Sequence, residues 1–214
     1  MAKRNDSLRR RRPFREAKRR ILIVCEGIVT ERHYFNDLRI QTKSLVELKI
    51  EPGGTPKRLV ERAVDFKKTA EKAAKRSKDE NLKYDLTWCV FDVDEHPFLA
   101  DARQQARDNG IKVAVSSPCL ELWALLHFQD QHAHIERHNV QRLCREYMPG
   151  YEKRLPVETL LARFDDAARR SMDLEQWHHT HETEGANPST SVHRLTEEII
   201  KEGRLAATWQ PVPR

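Results

Sequence analysis

Runs of apolar residues and the breaks between them divide the chain into alternating strands and helices. Ile21-Leu22-Ile23-Val24-Cys25 is five apolar residues in a row, rich in β-branched side chains and closed by Glu26-Gly27. Such a run reads as a strand buried on both faces, the kind that parallel sheets covered by helices contain. Leu86-Thr87-Trp88-Cys89-Val90-Phe91 repeats the pattern and runs into Asp92-Val93-Asp94-Glu95. Between them, Thr30-Glu31 opens a helix to about residue 41, and Val46–Ile50 alternates apolar and polar as a strand nearer the sheet edge. Glu51-Pro52-Gly53-Gly54-Thr55-Pro56 is a strong break, after which Thr55 caps a long basic helix over 56–80. A helix through Ala100–Asn109 ends at Gly110, and Ile111–Ser116 alternates as a fourth strand. Ser117 to Phe128 starts the next helix, with Pro118 near its first turn. This β-α-β-α-β-α-β-α order predicts an α/β fold with a parallel, doubly wound sheet, flanking helices and right-handed crossovers.

Residues 130–186 have a different texture, polar and His-rich, with a turn at Met148-Pro149-Gly150-Tyr151. They hold too few aliphatic residues for a second large core and read as a helical cover over one sheet edge. Asn187-Pro188-Ser189-Thr190 is expected to open a last amphipathic helix with Val192, Leu195, Ile199 and Ile200 inward, Asn187 acting as its cap. The expected organisation is a basic arm at 1–18, an α/β core at 19–129 and a helical extension at 130–214 packing on that core.

Charge changes the picture at one end. The net charge of +6 is unevenly spread: residues 1–20 hold ten Lys or Arg against Asp6 and Glu16. The rest is close to neutral, with 29 basic and 31 acidic residues. A block of like charge is expected to be disordered and to attract phosphate backbones through counterion release. Arg9, Arg10, Arg11, Arg12, Lys18 and Arg19 are the candidate nucleic-acid contacts, a solvated solubilising arm being the other reading. No apolar run reaches the length of a membrane span and no signal peptide is visible, so a cytoplasmic protein is expected. Cys25, Cys89, Cys119 and Cys144 are scattered, as small buried residues in a reducing compartment are.

The chemistry sits where the strands end. Open α/β sheets bind ligands at the carboxyl ends of their strands. If the first and third strands are neighbours, Glu26, Asp92 and Asp94 converge there, and three carboxylates need a counter-charge. A hard divalent cation, Mg²⁺ or Mn²⁺, is the natural one. Glu31 is either a ligand to a second ion or to the first ion's water, or a residue that favours the helix N-terminus. Glu121 follows the fourth strand at the same end and is either a site residue or the partner of an arginine. His132, His134, His138, His178, His179 and His181 have spacings open to Zn²⁺, but no Cys accompanies them at finger spacing, and solvated histidines are expected.

The Glu-Gly after one buried strand and the Asp-x-Asp after another resemble the Toprim domain of primases, topoisomerases and OLD-type nucleases. Four further pieces tighten the likeness: Cys25-Glu26-Gly27-x-x-Thr30-Glu31-x-x-Tyr34-Phe35, the block Ser117 to Phe128 with Glu121 and Trp123, Tyr151-x-Lys153, and Asn187-Pro188-Ser189-Thr190-x-Val192. Together they resemble the RloB family of prokaryotic defence-associated Toprim proteins over roughly residues 19–203. The departure is at Ile28 and Val29, where relatives often carry charged residues.

The resemblance implies a Toprim-like fold, a divalent-metal nuclease activity and genomic company with an ABC- or AAA-type ATPase in abortive-infection systems. Glu26 then matches the family's strand-1 glutamate, and Asp92 and Asp94 its metal pair. Glu26 is read as ligand or general base, and Lys153 as the cation that neutralises developing negative charge. The expected function is Mg²⁺-dependent hydrolysis of phosphodiester bonds in DNA or RNA, tRNA included. The alternatives are a non-catalytic nucleic-acid-binding module and a nucleotidyl-transfer enzyme of primase type. An oligomer is left open.

Overall fold

The computed structural model describes residues 19–52, 54–93 and 99–203. Its sheet is built from β1 (Arg20–Cys25), β2 (Leu45–Ile50), β3 (Leu86–Asp92), β4 (Lys112–Ser117) and β5 (Ser189–Thr190), in the order β2-β1-β3-β4-β5. The first four strands are parallel, with Cys25 aligned to both Ile50 and Val90 and Asp92 to Ser116. The mixed α/β class and mostly parallel sheet are those expected, and are consistent with a Toprim-like arrangement. Chain order reverses direction across the β1–β3 pair, so the switch point of the sheet lies where Glu26 and Asp92 emerge.

Alternate side chains of each strand feed two cores, which is why the apolar runs are unbroken. Ile21, Ile23, Cys25, Trp88, Val90 and Ala114 join one core. Leu22, Val24, Cys89, Phe91 and Val115 join the other. The second core is closed by α2 (Pro56–Ser77) and α3 (Leu99–Asp108), with Leu59, Val60, Ala63, Ala102 and Ala106 turned inward. Thr55 caps α2 by accepting from the Arg58 N–H at 3.4 Å, with Pro56 in the first turn. The helix ends at Lys78 in the left-handed conformation.

The first core is larger. Helix α1 (Thr30–Thr42) and α8 (Val192–Glu202) cover the sheet, and Tyr34, Phe35, Leu38, Leu195 and Ile199 are buried there. The same core runs without a break into α4 (Glu121–Leu125), α5 (Arg137–Tyr147), α6 (Val157–Leu161) and α7 (Phe164–Thr180) through Val140, Cys144, Leu160, Phe164 and Leu174. Trp123 anchors the junction: it is fully buried, and its Nε1 donates to the Tyr34 hydroxyl at 2.8 Å, which bonds Thr196 in turn. Burying each such side chain contributes about 1.5–3 kcal/mol.

Three expectations change. The helix read from Ser117 to Phe128 is one short helix, α4, followed by tight turns through His127 and Phe128. All of Leu120–Leu126 is buried, so burial rather than helical periodicity explains its apolar character. Asn187–Thr190 does not open a helix. Ser189 and Thr190 pair antiparallel with Ser117 and Ser116 as β5, and α8 begins at Val192. Asn187 caps nothing: its amide donates to the Ile135 carbonyl at 2.9 Å and its oxygen accepts from the Ile135 N–H at 3.1 Å, as a strand partner would. Finally, His178 is buried, held between Thr183 and the Pro188 carbonyl, whereas His132, His134, His138, His179 and His181 are exposed.

No helix among the described residues is long and apolar enough to cross a membrane. The four cysteines are free and buried. The basic arm at 1–18 lies outside the described residues.

Candidate functional site

The carboxylates of the candidate site reach it from three strand ends, those of β1, β3 and β4. Glu26 follows β1 directly, and Gly27 comes next. A Cβ on Gly27 would sit 1.7 Å from a Glu31 carboxylate oxygen, so the glycine makes room for Glu31 to fold back from the first turn of α1 against the β1 loop. Asp92 is the last residue of β3, half-buried, and its Oδ2 accepts from Arg137 Nη2 at 3.3 Å. The same Arg137 nitrogen donates to the Pro118 carbonyl at 3.3 Å, which ties the start of α5 to the loop after β4.

Glu121, in the first turn of α4, is only 4% exposed. Its Oε1 accepts from the Tyr151 hydroxyl at 2.7 Å and from Thr30 Oγ1 at 3.2 Å. Thr30 therefore spends its hydroxyl on Glu121, and α1 starts without a side-chain cap.

The electrostatics show these groups to be one cluster. Burial raises the Glu31 carboxyl above its ordinary value, and Glu121 and Glu26 push the same way, while its own backbone N–H and Arg137 pull it back. The Cys25 thiol is pushed up by burial and then by Glu31, Cys89 and Asp92. Cys119 is pushed up by burial, then by Glu121 and Asp92. The Tyr151 hydroxyl is likewise raised by burial and by Glu121, so it stays protonated and keeps donating. Negative charge is thus concentrated at the switch point, with Arg137 set against it.

The remaining sequence candidates are placed as follows. Asp94, the other half of the Asp-x-Asp pair, lies outside the described residues, as do Arg9, Arg10, Arg11, Arg12 and Lys18. Arg19 precedes β1, and its Nε donates to Glu202 at 2.6 Å, an ion pair with the last turn of α8. Lys153 is exposed and sits in the left-handed conformation with φ 61°. Tyr151, two residues earlier, is the part of that motif that reaches Glu121. Ile28 and Val29 are 56% and 39% exposed, an apolar lip on the loop after Glu26-Gly27.

Two contributors escaped the sequence reading. Tyr151 stood in a quoted motif but was passed over for its charged neighbour, and its phenol is the group able to bond a buried carboxylate. Arg137 carried no signal, being one of many arginines in a polar segment.

A divalent cation fits this donor set by its chemistry: the groups at the strand ends are hard carboxylate oxygens, and burial first, then repulsion from Glu121 and Glu26, raises Glu31. Among the described residues no group of three or more His, Cys, Asp and Glu side chains is arranged to hold a metal ion. Glu26 and Asp92 supply two carboxylates, and Asp94 follows Asp92 by two residues.

A parallel α/β sheet whose switch point is ringed by carboxylates defines the class of protein. Its sequence matches the RloB-like protein family over residues 21–199, and the chain belongs to that family. No curated protein and no solved structure matches it.

Proposed function

We propose that this chain is a Mg²⁺- or Mn²⁺-dependent nuclease of Toprim type, hydrolysing phosphodiester bonds in DNA or RNA, tRNA included, as the effector of an anti-phage system with a partner ATPase. The observation that carries the reading is the concentration of Glu26, Glu31, Asp92 and Glu121 at the sheet's switch point, facing Arg137. In the proposed site Glu26 and Asp92, with Asp94, hold the cation. A bound divalent cation would polarise the phosphoryl oxygen and lower the pKa of the attacking water.

The chain's own residues do the rest. Glu31, whose carboxyl burial raises above its ordinary value, is a stronger base than an ordinary carboxylate and is suited to accept the proton of a water. Arg137 takes the charge-neutralising role assigned to Lys153 on the sequence, because its guanidinium already lies against Asp92 and can fork onto a phosphate oxygen. Glu121 is a positioning residue rather than a catalytic one: buried and held by Tyr151 and Thr30, it helps to set the field at Glu31. Arg19 and the basic arm before it draw the nucleic-acid backbone toward the protein.

The experiment combines the purified chain with the ATPase encoded beside it and supplies DNA, tRNA and single-stranded RNA in turn. Cleavage should require Mg²⁺ or Mn²⁺ and fall at least about a hundredfold in Glu26→Gln, the scale for losing an essential catalytic group. Cleavage that survives chelation, or that Glu26→Gln leaves intact, contradicts the reading. Binding of nucleic acid without any cleavage would make the chain a binding module.

A further inference from the structure

A cavity of about 820 Å³ lies beside the β4 edge of the sheet, between α3, β5, α7 and α8. None of Glu26, Glu31, Asp92, Glu121 or Arg137 lines it. Its volume falls within the range of small-ligand sites. Val113 and Val115 line it from the α3 face of the sheet, and Trp88 reaches it from the opposite face, buried with the Lys112 Nζ 5.3 Å from its ring centroid. Positive charge comes from Arg103 and Arg107, one turn apart on α3.

The other charges around the cavity are matched. Glu175 pairs with Arg194 at 2.7 Å and Glu197 with Lys201 at 2.8 Å. Glu198 pairs with Lys112 and also accepts from Trp88 Nε1, and Glu184 turns to His179. Each acid is thus committed to its own partner. No carboxylate among the described residues pairs with Arg103, which is half-buried and feels Arg107 as a like charge. Among the described residues Arg107 bonds a neutral group, Gln104 Oε1 at 2.6 Å, and no carboxylate. Gly185, at φ 81°, packs on the Arg103 guanidinium: a Cβ there would lie 3.5 Å from its Nη2. The loop before β5 thereby helps to hold the arginine at the cavity wall.

We propose that this cavity is a binding site for a free mononucleotide, with Arg103 and Arg107 receiving its phosphate and the apolar side chains of Val113 and Val115, on the same face of the sheet, receiving its base. Two adjacent guanidinium groups that pair with no carboxylate among the described residues are complementary to a phosphate dianion, which they can bind through paired N–H donors. The site is separate from the carboxylate cluster and does not depend on the nuclease reading.

The test is calorimetric titration of the full chain with AMP, adenosine and inorganic phosphate, with EDTA present so that no divalent cation engages the carboxylates. AMP should bind more than tenfold tighter than adenosine or phosphate. Arg103→Gln with Arg107→Gln should weaken AMP at least tenfold, and Arg142→Gln, an exposed arginine on α5 paired with Glu146, should leave it unchanged. The double variant's far-ultraviolet circular dichroism should match that of the native chain. A 5′-phosphorylated DNA 10-mer should fail to displace AMP. The proposal is overturned if AMP does not bind at millimolar concentration, if adenosine binds as tightly as AMP, if the double variant keeps its affinity, or if the 10-mer displaces AMP at lower concentration.

Discussion

Two charged regions of this molecule make opposite demands. At the switch point of the sheet, Glu26, Glu31, Asp92 and Glu121 crowd together against Arg137. At the β4 edge, Arg103 and Arg107 stand together while the acids lining the cavity, Glu175, Glu184, Glu197 and Glu198, bond other partners. The exposed surface between such places is laced with balanced pairs such as Arg142–Glu146 and Arg169–Asp173, each worth at most about 1 kcal/mol. The difference teaches where to look for ligands. A carboxylate cluster calls for a cation and an arginine pair for a phosphate, whereas balanced pairs call for nothing.

The strongest way to break the comparison is at Tyr151. Tyr151→Phe removes the donor that holds Glu121 and leaves a buried carboxylate short of a hydrogen bond. We expect a loss of about 1–3 kcal/mol in chemical denaturation. No loss would mean that Glu121 is not held as a charged group, and that its contribution to the cluster is overstated.

A substitution at Gly27 sharpens the same region. In Gly27→Ala the new methyl occupies the space of the Glu31 carboxylate, which can swing away because it is the end of a flexible side chain. Stability should change by less than about 0.5 kcal/mol, as for ordinary surface changes. The rate of Mn²⁺-dependent cleavage should fall about tenfold, or ~1.4 kcal/mol in the barrier. An unchanged rate would remove Glu31 from the site.

Glu31 also gives a pH-dependent signature. Its carboxyl binds a proton more tightly in the folded chain than in the unfolded one. Its contribution to stability is therefore fully present below the ordinary glutamate pKa and is lost as pH rises through the raised, folded value. Glu31→Gln should consequently raise the melting temperature of the metal-free protein at pH 7, by a smaller amount than Tyr151→Phe lowers it. The gain should vanish near pH 4, where both forms are neutral. A variant that is less stable at pH 7 would show that Glu31 is paired rather than crowded.

The smallest expected effect is a null one. If the two regions are independent, Arg103→Gln with Arg107→Gln should leave Mn²⁺ affinity within about twofold, since sites with no shared partners usually act additively. A larger change would join the regions into one site.

Much of the switch point was legible in the sequence because β1 and β3 are unbroken apolar runs that end in acids, and neighbouring parallel strands must bring those ends together. Thr55-Pro56 likewise marked the start of α2 by local capping chemistry. What could not be read depends on contacts distant in sequence. Tyr151 meets Glu121 across 30 residues, and Arg137 meets Asp92 across 45. Strand β5 is two residues long, too short for any periodicity, and is secured by side chains: Ser116 bonds Thr190 at 2.8 Å, and Ser191 Oγ accepts from the Val115 N–H at 3.0 Å. The arginine pair on α3 has the spacing of ordinary helix surface, and what sets it apart is the loop around Gly185 lying against Arg103, a contact between residues far apart in sequence.

Whether the carboxylates at the ends of β1 and β3 hold a divalent cation is decided by calorimetric titration of the native chain with Mn²⁺, repeated on Glu26→Gln with Asp92→Asn. The native chain should bind saturably and the double variant at least about a hundredfold more weakly, with secondary structure intact. Equal affinity in the two proteins would place the cation elsewhere.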